Sequence, residues 1–222
     1  MLTPQKKIHR KEIKEDALVT WYFRITRWIA PYRRYFNIGG VVVLAAVALS
    51  VLMTSSKKNA EANAQGKLGV AEQSYFLNDY GRLIQDMKPI LNKYPGTRAA
   101  GMAAFYLANA YFAQGNYGEA ETFFKLYADK YADDPMLTAS SLAGLAQVAE
   151  SKNETAKAAV LYEKAGRKYK NSFAAPFYLK EAVRCYAQTG NKAAAENLLE
   201  RIEKKYPGNS LKEEVRFLAE SM

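Results

Sequence analysis

A chain of 222 residues, 49% of them apolar, can bury a core, and its 7 prolines and 13 glycines leave long stretches free for helix. Its one cysteine, Cys185, excludes an intramolecular disulfide, and its one histidine, His9, excludes any catalytic or metal site that needs two. The net charge of +10 is uneven: residues 1–54 hold nine basic residues against three acidic ones, so +4 is left for the remainder and a nucleic-acid reading of the whole chain loses its basis.

Residues 1–35 read as a basic, aromatic-rich tail. Leu18, Trp21, Ile25, Trp28 and Ile29 fall at helical spacing, with Thr20, Arg24 and Arg27 mostly between them. Residues 17–30 are then either a short helix lying on an anionic leaflet or part of a stub that only sets topology, and residues 1–15 read as stub. Trp21, Arg24, Arg27, Trp28, Arg33 and Arg34 are the candidate membrane-interface residues.

Residues 36–54, FNIGGVVVLAAVALSVLMT, carry no charge. Nineteen residues of helix span roughly 28 Å, the thickness of the hydrocarbon core, so membrane lipid is the expected partner of this run. A buried soluble helix would keep a polar face, and this run is apolar all round. Trp28, Tyr32, Tyr35 and Phe36 precede it, where an interfacial belt would sit. Lys and Arg are richer on the N-terminal side, which places the N-terminus in the cytoplasm and residues 55–222 outside, in the periplasm of a bacterium with two membranes. The alternative, a signal peptide cut near Ala60-Glu61-Ala62, needs a leader far longer than an ordinary charged n-region. No cysteine is placed to carry a lipid anchor.

The rest of the chain repeats. Tyr94, Tyr131, Tyr169 and Tyr206 are spaced 37, 38 and 37 residues apart, each preceded by lysine and followed by turn formers, as in Lys93-Tyr94-Pro95-Gly96 and Lys205-Tyr206-Pro207-Gly208. Inside each unit a second turn occupies a matching place: Asn78-Asp79, Gly115-Asn116, Asn153-Glu154 and Gly190-Asn191. Each unit therefore reads helix, short turn, helix, longer turn, over approximately 60–96, 97–134, 135–172 and 173–210. Ser210-x-x-Glu213 is a capping box for a further helix over 211–220, whose Leu211, Val215 and Leu218 would cover the last open flank.

Ala120-x3-Phe124-x2-Tyr127, Ala158-x3-Tyr162-x2-Ala165 and Ala195-x3-Leu199-x2-Ile202 align in one register, and Leu107, Ala108 and Tyr111 precede the first of them. Small residues let paired helices approach, and aromatics fill the space beside them. This pattern resembles the tetratricopeptide repeat, with a period of 37–38 where that repeat has about 34. The first unit departs from it, with Leu83, Met87 and Ile90 at the small positions, as a terminal repeat does. The expected fold is an all-α, tetratricopeptide-like helical solenoid of about four helix pairs plus a capping helix, preceded by a single transmembrane helix. The resemblance implies a protein-binding groove lined by the first helix of each pair. Its positions fall on Glu72 and Tyr75, then Met102, Phe105, Asn109 and Phe112, then Gln147 and Glu150, then Phe177, Lys180 and Arg184. Asn109 stands where peptide-clamping members place an asparagine on a peptide backbone.

No Gly-rich phosphate loop precedes a lysine, and no Cys-His pair exists in the repeats, so no enzyme, metal or cofactor is expected. One apolar span followed by such repeats also resembles the YfgM-type family of inner-membrane-anchored ancillary proteins. That resemblance implies association with translocon subunits and periplasmic chaperones. The alternative is a structural subunit or assembly factor of another envelope complex.

Overall fold

The structure, a computed structural model, describes residues 17–206, with the backbone alone at residues 17–19, 33 and 36. The tail over 1–15 and the capping helix over 211–220 lie outside the described residues. The chain divides into two compact units, Met1–Ser56 and Lys57–Met222.

In the first unit, α1 runs Ala17–Ile29, a 3-10 turn occupies Ala30–Tyr32, and α2 begins at Arg33. Pro31 separates the two helices because it lacks the N–H that continuous helix needs. Helix α2 runs Arg33–Phe76 and is long and apolar enough to cross a membrane, with a mean hydropathy of 2.3 in its most apolar window and none of that window buried. The sequence divides this stretch at residue 54, but the helix does not stop there. Residues 55–65 hold Lys, Ala, Glu, Gln and Asn without a proline or glycine to end it.

The second unit is a helical solenoid: α3 Tyr80–Lys93, α4 Arg98–Ala113, α5 Tyr117–Lys130, α6 Pro135–Ser151, α7 Thr155–Lys168, α8 Ala175–Gln188 and α9 Lys192–Lys205. From α3 to α9 each helix packs on the next, and α4 also touches α6. Residues 57–76 of α2 supply the first helix of repeat 1, burying Ala64, Leu68 and Ala71 against Leu83, Met87 and Ile90. Among the described residues the chain has no strand.

Two periodic devices set the repeat. The internal turn needs one left-handed residue, and it is Asn78 (φ 56°), Gly115 (φ 74°), Asn153 (φ 62°) and Gly190 (φ 73°), residue types that tolerate that region. The next N–H reaches back five residues in every case: Asp79 to Ser74, Asn116 to Tyr111, Glu154 to Ala149, Asn191 to Tyr186, all at 2.8–2.9 Å. That bond closes the helix end in a Schellman motif. Asp79, Asn116 and Asn191 then cap the following helix through their side chains.

The marker tyrosines end the second helix of each pair, and their lysines lie over the rings in Lys93/Tyr94, Lys168/Tyr169 and Lys205/Tyr206 at 5.3–5.8 Å. Two of them tie a repeat to the one before. The Gly96 N–H donates to Tyr131 Oη at 3.3 Å, and Tyr206 Oη donates to the Lys170 carbonyl at 2.8 Å. Close approach is built from glycine. A Cβ on Gly101 would stand 2.9 Å from Tyr131 Cβ, and one on Gly144 would enter the Phe124 ring.

Candidate protein-binding groove

The first helices of repeats 1–3 enclose a cleft of about 810 Å³. Leu68 and Glu72 come from α2, Met102 from α4, Tyr127 from the end of α5, and Met136 and Leu137 from the start of α6. The rim carries Lys58, Glu61, Arg98, Asp133 and Asp134.

Most rim charges are already used by the fold. Glu61 accepts from the N–H groups of Arg98 (2.7 Å) and Ala99 (3.1 Å), so one carboxylate closes the start of α4 from 37 residues away in sequence. Asp134 does the same for α6, accepting from the Met136 N–H at 2.8 Å and the Leu137 N–H at 3.1 Å. Arg98 and Asp133 face each other at 3.8 Å. A ligand in this cleft therefore meets a floor of two methionines, two leucines and a tyrosine ring. Thioether side chains re-pack around varied apolar shapes, which suits a segment of variable sequence.

Of the positions carried over from the repeat pattern, Glu72 and Met102 line this cleft. Tyr75 is packed on Tyr106, ring centroids 5.0 Å apart, and on Tyr80. Burial, with the nearby Glu72 carboxylate, pushes the Tyr106 hydroxyl up to about 12. Phe105 turns into repeat 2 against Phe124 and Tyr127, and Phe112 sits on Tyr117. The Asn109 amide donates to the Phe105 carbonyl at 2.8 Å on its own helix.

In repeats 3 and 4 the same positions bind one another. Arg184 reaches Glu150 at 2.5 Å and Glu181 at 2.7 Å, and Tyr162 Oη donates to Glu150 at 2.9 Å. Lys180 stands 3.7 Å from Glu181. Gln147 is exposed, and Phe177 is about half exposed. Cys185 is buried beneath this network, and burial pushes its thiol up to about 12, far from a reactive thiolate.

Sequence spacing did not reveal Tyr127, Met136 and Leu137 as groove residues. Tyr127 reads as an internal aromatic of the second helix. Met136 follows Pro135 at a helix start, where an exposed apolar side chain is a usable but weak signal. Among the described residues no three His, Cys, Asp or Glu gather as metal ligands. At the interface positions of the tail, Trp21 and Trp28 are exposed at 65% and 69%, and Arg24, Arg27 and Arg34 are exposed. Of Arg33 the backbone alone is described.

The tetratricopeptide repeat family model matches residues 102–134 and 178–209. These segments cover most of repeats 2 and 4. A comparison with curated proteins finds no match. Among solved structures, the nearly identical TPR-like repeats of a Podosopora anserina protein named for kinesin light chain are similar at 15% identity and a TM-score of 0.52. The likeness covers 72% of this chain and 93% of that one, and a single-substitution form of the same repeats gives the same values. At that identity the likeness establishes the fold. The chain carries tetratricopeptide repeats in a TPR-like solenoid, an architecture whose general use is protein–protein interaction.

Proposed function

We propose that this protein is a single-pass, membrane-anchored, non-enzymatic scaffold whose cleft takes an extended apolar segment of another protein. Its role is that of an ancillary chaperone beside a protein-translocation channel. Residues 1–35 form the cytoplasmic tail, 36–54 the span, and 55–222 the repeat domain on the periplasmic face of a bacterial inner membrane. The observation that carries the reading is the cleft itself. Its rim carboxylates Glu61 and Asp134 are used by helix starts, which leaves Met102, Met136 and Leu137 for a ligand without a required charge. A binder of newly exported chains needs that tolerance. The anchor and the surplus of basic residues before the span support the location. The YfgM-type resemblance supports the role.

The second reading, a structural subunit or assembly factor of another envelope complex, is favoured by Phe173 and Phe177. They are exposed at 79% and 51%, four residues apart and outside the cleft. A photo-crosslinking residue at Met136, with another at Phe177 and a third at Lys57, separates the two readings in native membranes. The chaperone reading expects newly exported chains at Met136 and channel subunits at Lys57. One stoichiometric complex at all three positions, with no exported chain, would replace it with the structural reading.

A further inference from the structure

We infer that α1 is an interfacial helix that lies in the lipid headgroup layer and holds phospholipid phosphates between Arg24 and Arg27. The inference rests on the reading of α2 as a membrane span. Helix α1 exposes Trp21, Tyr22, Phe23 and Trp28 at 62–69%, a density of bare aromatic surface that water does not favour. Trp21, Ile25 and Trp28 recur at four and three residues and share one face. Thr20, Arg24 and Arg27 form the edge next to that face, and with Phe23 and Trp28 they line an open cleft of about 650 Å³. Two guanidinium groups and a hydroxyl beside aromatic rings are a donor set for a phosphate at the water–hydrocarbon boundary, where an indole also sits best.

Charge selects the occupant. From Ala17 to Ala60 the chain has no acidic residue, and within 17–56 the cations are all arginine: Arg24, Arg27, Arg33 and Arg34. An acidic protein would be met as well by lysine. The planar fork of arginine matches the two oxygens of a phosphodiester. Only seven residues separate Ile29 from the apolar run that starts at Asn37, a reach of about 25 Å at full extension, so the end of α1 stays within that distance of the bilayer that holds the span.

The chain contains two tryptophans, Trp21 and Trp28, both on α1, so tryptophan fluorescence excited to the red of the tyrosine band reads this helix alone. The full chain is reconstituted into phosphatidylcholine vesicles, with and without phosphatidylglycerol, carrying bromine near the headgroup or deep in the acyl chain. Headgroup-side bromine is expected to quench the tryptophans more than deep bromine, and more in the anionic vesicles. Arg24→Gln with Arg27→Gln lowers the ratio of docked to undocked helix about 25-fold, fivefold for each arginine near an anionic surface. The thermal transition of the repeats stays unchanged. Three outcomes overturn the inference while the span survives alkaline extraction. They are water-like emission with full acrylamide access, acrylamide protection without bromine quenching (a protein cover), and quenching indifferent to anionic lipid and to the double variant. Loss of the chain from the vesicles on alkaline extraction removes the span reading and the inference together.

Discussion

Repeats 1 and 2 are packed with aromatic rings. Phe105 meets Phe124 and Tyr127 edge to face at 6.3 and 5.8 Å, Tyr111 stacks on Phe123, and Lys88 lies over Tyr111. Repeats 3 and 4 have the same turns but a core of Ala146, Ala149, Ala158, Ala182 and Ala195, overlaid by the Glu150–Arg184–Glu181 network. The difference decides what each half can offer a partner. Where polar side chains on the first helices satisfy one another, a ligand must break those bonds before making its own. Where the helix starts consume Glu61 and Asp134, methionine and leucine face the cleft beside Lys58 and Glu72, and a bound apolar segment would displace water from that floor. One backbone plan thus gives an open cleft across the first helices of repeats 1–3 and a closed polar network across the first helices of repeats 3 and 4.

The largest expected break in this comparison is at the seam. Phe124 on α5 fills the space left by Gly144 on α6, joining the aromatic half to the alanine half. Phe124→Ala should cost about 3–5 kcal/mol. Urea unfolding followed by circular dichroism should then show two transitions in place of one. A single sharp transition would mean that the halves are not coupled through this ring.

Next comes the brace. Arg184→Ala leaves the partly buried Glu150 without its cation and Glu181 with Lys180 alone, a loss of about 2 kcal/mol after allowing for their exposure. Adding Glu150→Gln should recover part of it, as a double-mutant cycle in the same assay would report. Crosslinking at Met136 should be unchanged by either variant, because the brace lies outside the cleft.

Alkali should act through the partly buried tyrosine hydroxyls of both halves. The Tyr106 hydroxyl is held up to about 12, first by burial and then by Glu72, and Tyr186 up to about 12 by burial and its bond to Glu163. A raised folded pKa contributes stability that is complete below the unfolded value near 10 and lost as pH rises through about 12. Melting temperature should therefore hold to pH 9 and fall between pH 10 and 12. Tyr106→Phe should lessen that fall, and an equal fall in the variant would exclude Tyr106 as a source.

The smallest effect has the opposite sign. Ser141 Oγ in α6 is fully buried without a hydrogen-bond partner. Ser141→Ala should raise stability by about 1 kcal/mol through helix propensity and removal of a desolvated hydroxyl. A lower melting temperature would show that the hydroxyl is satisfied in solution.

The periodic features were legible from the residues. The turns at Asn78, Gly115, Asn153 and Gly190 require a left-handed residue, and only a few residue types supply one cheaply, so they print their spacing on the sequence. The apolar run of α2 was legible for the same reason, since a long stretch without charge has few other uses. Glu72 and Met102 were found because the repeat register places them on the groove side. Phe105 and Tyr75 occupy equally good register positions and are drawn instead against Phe124 and Tyr106, partners in other helices.

The sequence by itself determined the all-helical repeat, its register, the candidate span and the placement of charge, because each of these is a local pattern that a few residues specify. Only the tertiary structure decided which register positions stay open. Glu61 closing α4, Asp133 facing Arg98, Arg184 binding Glu150 and Phe124 entering the space of Gly144 are contacts between separate elements. The energy that assigns a side chain to groove or interior resides in such contacts, and they exist only once the helices are packed.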